Sequence, residues 1–254
     1  MADGGVTITW LGHGTFLFEA PDGQRILLDP WIDGNPKFPE GWKTKLTERL
    51  DAIVLTHGHF DHVNDLVAVA QQVEAPILCI FDMAGWLTRQ GINGNRVLGF
   101  NLGGTVEAAG VRFTMTSAMH SSSFTDDAGN ITYMGAPVGY VMEFDDGTVV
   151  YHTGDTCVFG DMRIIGELYA PDVAIMPIGG WFTMGPKQAA YAAKLIGARQ
   201  VIPEHYGTFP ILAGTPGELR QELSSQNIEV VALDPGSSTT VRKSSGTASI
   251  PVGG

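Results

Sequence analysis

Residues 57–62 read His-Gly-His-Phe-Asp-His. Three imidazoles and a carboxylate within six positions constrain this chain more than any other feature. The sequence holds seven histidines, His13, His57, His59, His62, His120, His152 and His205, and three of them fall in this one run. Imidazole nitrogen and carboxylate oxygen are ligands that zinc, manganese and iron accept. In extended backbone positions i and i+2 share a side, which pairs His57 with His59. Asp61 and His62 come round as the chain turns onward, so one short loop can present ligands to two neighbouring ions. The apolar strand expected over residues 52–56 runs directly into the cluster and supplies the rigid support that ligand geometry needs.

The other candidate ligands each follow an expected strand. His120 follows residues 111–117, Asp155 follows 148–152, and His205 follows 200–202. Alone each is a weak signal. Together they complete a ligand set for two ions along one sheet edge. His152 lies three residues before Asp155 and reads as an orienting or structural partner, since ligands need one.

The remaining pattern is that of an α/β fold. Residues 6–10, 15–19 and 25–28, separated by Gly12-His13-Gly14 and Pro21-Asp22-Gly23, read as an antiparallel meander. Residues 29–45 carry Pro30, Pro36 and Pro39 and read as a long surface loop. Helices are expected over 64–73, 83–90, 162–169, 186–196 and 216–225, with Pro186 at a favoured helix start. Strands are expected over 76–81, 97–98, 106–108, 111–117 and 173–176. A hairpin over 138–144 and 148–152 closes on Asp145-Asp146-Gly147. Residues 121–134 read as a polar loop. Residues 230–233 and 239–242 close the fold as strands. Both halves run from strands to alternating strand and helix, which implies two packed sheets with helices on the outer faces.

With 254 residues, no interdomain linker and no repeat period, the chain reads as one domain over 1–242 and a flexible tail over 243–254. Its 33 glycines fit a strand-rich fold with many tight turns. A net charge of −12 repels phosphate backbones, so no nucleic-acid partner is expected. Cys79 and Cys157 are too few for a disulfide framework. Cys79 reads as a buried thiol and Cys157 as a small packing residue, and both fit a cytoplasmic location. The first five residues lack the basic start and apolar run of a signal peptide, and no apolar stretch is long enough to span a bilayer.

The order His57-x-His59-x-Asp61-His62, His120, Asp155, His205 resembles the metallo-β-lactamase superfamily. The resemblance implies an αββα sandwich of two mixed sheets with helices on the outer faces. It implies that His57, His59 and His120 hold one ion, that Asp61, His62 and His205 hold the other, and that Asp155 bridges. Further segments, Trp10-Leu11-Gly12-His13-Gly14-Thr15, Tyr151-His152-Thr153-Gly154-Asp155-Thr156, Pro177-Ile178-Gly179-Gly180, Phe182-Thr183-Met184-Gly185-Pro186 and His205-Tyr206-Gly207-Thr208-Phe209-Pro210, resemble a prokaryotic family of metal-dependent hydrolases. That family is similar to the L-ascorbate-6-phosphate lactonases. The Trp-Leu-Gly-His opening also resembles the N-acylphosphatidylethanolamine phospholipase D branch. The likeness runs over residues 6–242. Trp181 departs from it, standing where a smaller or more polar residue is expected.

The function implied is a hydrolase in which a hydroxide bridging two divalent ions, Zn2+ or Mn2+, attacks an ester-like bond, a lactone before others. The alternatives are a phosphodiesterase acting on a small or cyclic phosphodiester and a non-catalytic metal-binding protein. A redox role is set aside: the diiron flavoproteins of this fold carry a glutamate where this chain has His59, and there is no room for a flavin domain. Asp61 is expected to orient the hydroxide and move protons. His13, Trp181, Phe182 and Tyr206 are the candidate substrate contacts. The expected partner is a small-molecule substrate, and a homo-oligomer is compatible with the sequence.

Overall fold

The structure is a computed structural model that describes residues 4–243. The tail expected from residue 243 lies, from 244 onward, outside the described residues. The strands are β1 (Val6–Trp10), β2 (Phe16–Glu19), β3 (Arg25–Leu28), β4 (Ala52–Val54), β5 (Ile77–Ile80), β6 (Val97–Phe100), β7 (Thr105–Ala108) and β8 (Val111–Ser117). They continue with β9 (Ser123–Thr125), β10 (Ile131–Tyr133), β11 (Val138–Glu143), β12 (Val149–His152), β13 (Val173–Pro177), β14 (Gln200–Glu204), β15 (Glu229–Val230) and β16 (Ser238–Val241). The helices are α1 (Trp42–Glu48), α2 (Phe60–Val63), α3 (Leu66–Ala70), α4 (Phe81–Arg89), α5 (Met162–Tyr169), α6 (Pro186–Ile196) and α7 (Pro216–Glu222).

Two seven-stranded mixed sheets carry the fold, ordered β16-β1-β2-β3-β4-β5-β6 and β15-β14-β13-β12-β11-β8-β7. In each, four strands pair antiparallel and four pair parallel, with β3 and β12 shared between the two sets. The burial pattern explains the packing. In β11, Tyr140 and Met142 join one core while Val141 joins another; in β13, Val173 and Ile175 join the first while Ala174 and Met176 join the second. Strand side chains alternate faces, so this sheet is covered twice. Its inner face meets the other sheet, and its outer face meets α5, α6 and α7. Covering on both faces is why these strands read as unbroken apolar runs. Across the sandwich, the Tyr140 hydroxyl donates to the carbonyl of Leu55 at 2.9 Å.

Four local expectations change. The helix expected over 64–73 is shorter, α3 at Leu66–Ala70, and a separate short helix, α2 at Phe60–Val63, precedes it. The break falls at Asp65, whose Oδ2 accepts from the amides of Ile32 (2.7 Å) and Asp33 (3.1 Å) and so ties the chain to the preceding loop. That loop ends earlier than expected, in α1, which buries Leu46 as its one core side chain. The polar stretch 121–134 contains the β9–β10 hairpin, closed by Asp126, which accepts from the amides of Ala128 and Asn130 and from the Asn130 side chain. Cys157, expected as a packing residue, is exposed, whereas Cys79 is buried in β5 as expected.

Candidate metal centre

Strand polarity brings the site together. β8 and β12 are both antiparallel to β11, so they point the same way, and β12, β13 and β14 are parallel. Their carboxyl ends therefore share one edge. His120 lies three residues past β8, Asp155 three past β12 and His205 directly after β14. From the other sheet β4 delivers His57 three residues past its end, and the amide of Val138 donates to the carbonyl of Thr56 at 2.9 Å, locking the two edges together. Two glycines make the approach feasible. A Cβ at Gly58 would lie 2.3 Å from the Met134 side chain; one at Gly154, where φ is +62°, would lie 2.3 Å from the Val138 carbonyl.

All seven expected ligands converge, in two groups. In the first, His57 Nε2 lies 3.0 Å from His59 Nδ1, which lies 3.2 Å from His120 Nε2. Tetrahedral zinc with metal–nitrogen bonds of about 2.05 Å places its ligand nitrogens roughly 3.3 Å apart, so these spacings suit a single ion. The second group gathers Asp61, His62 and His205, together with His13. Between them sits Asp155. Its Oδ2 lies 3.1 Å from His205 Nε2, 3.6 Å from the Nε2 atoms of His62 and His120, and 3.9 Å from that of His57. His62 Nε2, Asp155 Oδ1 and both ring nitrogens of His205 are buried without a hydrogen-bond partner among the described residues. Buried polar atoms left unpaired are costly, and a cation in the second group would satisfy His62 Nε2 and one ring nitrogen of His205. The donor set fits divalent ions held by nitrogen and carboxylate oxygen.

The electrostatics differ between the groups. Burial holds His57, His59 and His120 below the ordinary imidazole range, leaving neutral rings with free lone pairs. At His205, burial opposes the proton, but Asp155 and Asp61 overcome it and push the ring up to about 10. His62 is raised likewise against burial, by Asp155 and Asp29. Burial would lift the Asp155 carboxyl, yet His205 and His62 hold it well below its usual range. Asp61 is also depressed, with His13 and His205 outweighing burial. A cation entering the second group takes the place of protons on the same nitrogens.

The residues expected to touch substrate scatter. His13 is fully buried, with Nε2 2.9 Å from Asp61 Oδ2 and Nδ1 3.0 Å from the Thr208 hydroxyl. Burial, then His205, lowers its ring to about 4. Phe182 lines the cavity over the histidine cluster. Trp181 points outward, 75 % exposed, with left-handed backbone. Tyr206 stacks on Trp10 at 5.2 Å and packs toward the core. Sequence reasoning overlooked Asp29. Buried at the end of β3, it accepts from the Thr56 amide at 2.8 Å and bonds His62 Nδ1 at 2.8 Å, leaving His62 Nε2 to face the site. Glu204 was overlooked too: it is buried 3.3 Å from His152. The adjacency of each to a recognised element, Pro30 after β3 and His205, is the only signal the sequence offers.

A family described as the beta-lactamase superfamily domain matches residues 24–206. A UPF0173 metal-dependent hydrolase of Herpetosiphon aurantiacus is 54 % identical over 237 residues, covering 92 % of this chain and 97 % of the relative. The chain belongs to the UPF0173 metal-dependent hydrolases. A second UPF0173 member, from Solibacter usitatus, is 47 % identical over 229 residues, covering 90 % and 97 % of the two chains. Among solved structures, a metallo hydrolase from the archaeon Ignicoccus hospitalis has 36 % identity and a TM-score of 0.82, covering 94 % of this chain and 99 % of that one. The metallo-β-lactamase fold and the metal-dependent hydrolase class of UPF0173 are thus common to this chain and its relatives. No helix among the described residues is long and apolar enough to cross a membrane.

Proposed function

We propose that this UPF0173 protein hydrolyses an ester-like bond, a lactone in first place, at a two-metal centre. The observation that carries the reading is the position of Asp155 Oδ2, within 3.9 Å of four histidine Nε2 atoms that belong to both ligand groups. That position suits a carboxylate shared between the two groups. His57, His59 and His120 would hold one ion, and Asp61, His62 and His205 the other. Zinc suits the nitrogen-rich set and manganese is the alternative. When bound, such ions supply an activated water and polarise the oxygen of the bond under attack.

The chain's own residues do the rest. Asp61 lines the cavity with its Oδ2 held by His13, which fixes the carboxylate so that it can orient a water and take its proton. Thr208 fixes the far side of the same imidazole. Ser121 Oγ lies 3.2 Å from His59 Nε2 and sets that ring's plane. A carbonyl substrate is favoured over a phosphodiester because neither lysine nor arginine lines the cavity among the described residues. The test is turnover of a panel of lactones and bis-aryl phosphates by protein of measured metal content, with His59→Ala as control. Metal-dependent lactone hydrolysis lost in the variant supports the reading; hydrolysis of neither class by the fully loaded protein overturns it.

A further inference from the structure

The cavity over the cluster encloses about 340 Å³, at the small end of ligand sites. Five of the proposed ligands form its floor, and the rest of its wall is Phe60, Phe182 and Ser121. Both phenylalanines stand in water: Phe60 is 52 % exposed and Phe182 55 %. Two large apolar rings at the mouth of a polar site form surface that a ligand can cover.

Neither ring is loosely placed. Phe60 begins α2, between His59 and Asp61, and packs edge-on against Trp31 with ring centroids 5.7 Å apart. Trp31 is itself 3 % exposed and meets Phe209 at 6.0 Å, so Phe60 rests on a buried aromatic base. Phe182 sits on a turn in which the Gly180 amide donates to the Met184 carbonyl at 2.9 Å and the Met184 amide donates to the Thr156 carbonyl at 3.2 Å. Thr156 directly follows Asp155, so the turn is anchored beside the bridging position. Trp181 takes left-handed backbone, φ 58°, in this turn. A bulky residue holds that conformation only where its surroundings impose it. The turn therefore sets Phe182 over the site and leaves Trp181 outside.

We infer that Phe60 and Phe182 form an apolar clamp that binds an uncharged alkyl or aryl substituent carried beside the carbonyl under attack. The inference rests on the hydrolase reading above and narrows it. A phosphorylated lactone is a poor match, because its remote phosphate meets two phenylalanines and, among the described residues, no lysine or arginine on the cavity wall.

The experiment uses metal-loaded protein and two homologous series. One is γ-lactones with alkyl tails lengthening from none to five carbons, read as kcat/KM. The other is 2-alkylcyclopentanones with the same tails, which cannot be hydrolysed, read as Kd by calorimetry. Phe60→Ala, Phe182→Ala and Phe182→Leu are compared with the parent, each checked for metal content and thermal midpoint. Burial of each methylene raises affinity up to about fourfold, so both readouts climb with tail length in the parent. The climb flattens in the two alanine variants and persists in Phe182→Leu. A parent protein with no dependence on tail length, or alanine variants that keep its slope, overturns the clamp. Ketones that bind with the expected slope while no lactone is cleaved uphold the clamp and sink the lactone reading. Cleavage of the unsubstituted lactone with a flat series does the reverse.

Discussion

The backbone amide of His205 donates to the carbonyl of His13 at 3.3 Å, and both residues hold left-handed backbone, with φ of 53° and 56°. The Trp10 indole donates to the same carbonyl at 2.8 Å, and the two imidazole centroids are 3.8 Å apart. Left-handed backbone at a residue other than glycine costs on the order of 1–3 kcal/mol. Here the cost is met twice at one contact, and it fixes the first turn of the chain against the last proposed ligand.

From this contact follows a prediction for His13→Asn. Asparagine tolerates left-handed backbone, so the turn survives. Its shorter side chain cannot span Asp61 and Thr208 as His13 does. Partners that orient ligands are worth roughly 10–100-fold, so kcat/KM on the best substrate should fall by that factor while the thermal midpoint moves little. Unaltered kcat/KM would make the bridge a packing contact only. His13→Val, which cannot tolerate the backbone, should lower the midpoint as well.

Asp29 leads to a second prediction, on metal affinity. One of its oxygens serves the Thr56 amide, and the other bonds both the Thr56 hydroxyl and His62 Nδ1. Asp29→Asn keeps the shape but loses one acceptor and the charge that steadies His62. Chelator competition should show one of two ions bound about 10–100-fold more weakly, with the other unchanged. Equal weakening of both ions would contradict the division of ligands given above.

The candidate cluster was legible because it is dense at 57–62 and because its isolated members follow apolar strands. Asp29 follows an apolar strand too, but Asp-Pro is an ordinary way to end a strand and start a loop, so nothing marked it. Glu204 carried no mark because its partner His152 is distant in sequence, and only the parallel register across β13 brings them together. The strands of the sandwich were readable from apolar runs. The break at Asp65 was not, since it depends on two amides of a loop thirty-odd residues away. Trp181 and Tyr206 sat in the right segments, yet a segment's proximity does not fix a side chain's direction; a left-handed turn and a stack on Trp10 do.

Thiol accessibility gives a third prediction. Cys79 is buried in β5, and burial pushes its thiol up to about 12, so it offers no thiolate at neutral pH. Cys157 is exposed. A thiol-reactive chromophore should titrate one cysteine per chain in the native protein and two in denaturant. Cys157→Ser should abolish the native reaction. Two rapid equivalents without denaturant would mean that β5 opens readily or is packed differently.

A buried pair under the site supplies the last prediction. His152 and Glu204 are each about 1 % exposed, with Nε2 and Oε2 3.3 Å apart. The Gly154 amide donates to His152 Nδ1 at 3.1 Å, so in the neutral ring the proton sits on Nε2, the atom nearest Glu204. Neither Glu204 oxygen nor His152 Nε2 has a hydrogen-bond partner among the described residues, so this close approach is each group's main polar compensation. Removing one member of such a pair leaves the other buried and uncompensated, at about 3–5 kcal/mol, while removing both costs less than the sum. His152→Ala should therefore lower urea-denaturation stability steeply, and His152→Ala with Glu204→Ala should recover part of the loss. Glu204→Gln, which keeps an acceptor facing Nε2 and sheds the charge, should be far milder than Glu204→Ala. Because His152 precedes the Gly154-Asp155 turn and Glu204 precedes His205, the alanine variants should also bind metal more weakly than Glu204→Gln. Strictly additive stability losses would show that the two side chains are not coupled, and the pair would then have no part in holding the two ligand-bearing turns in register.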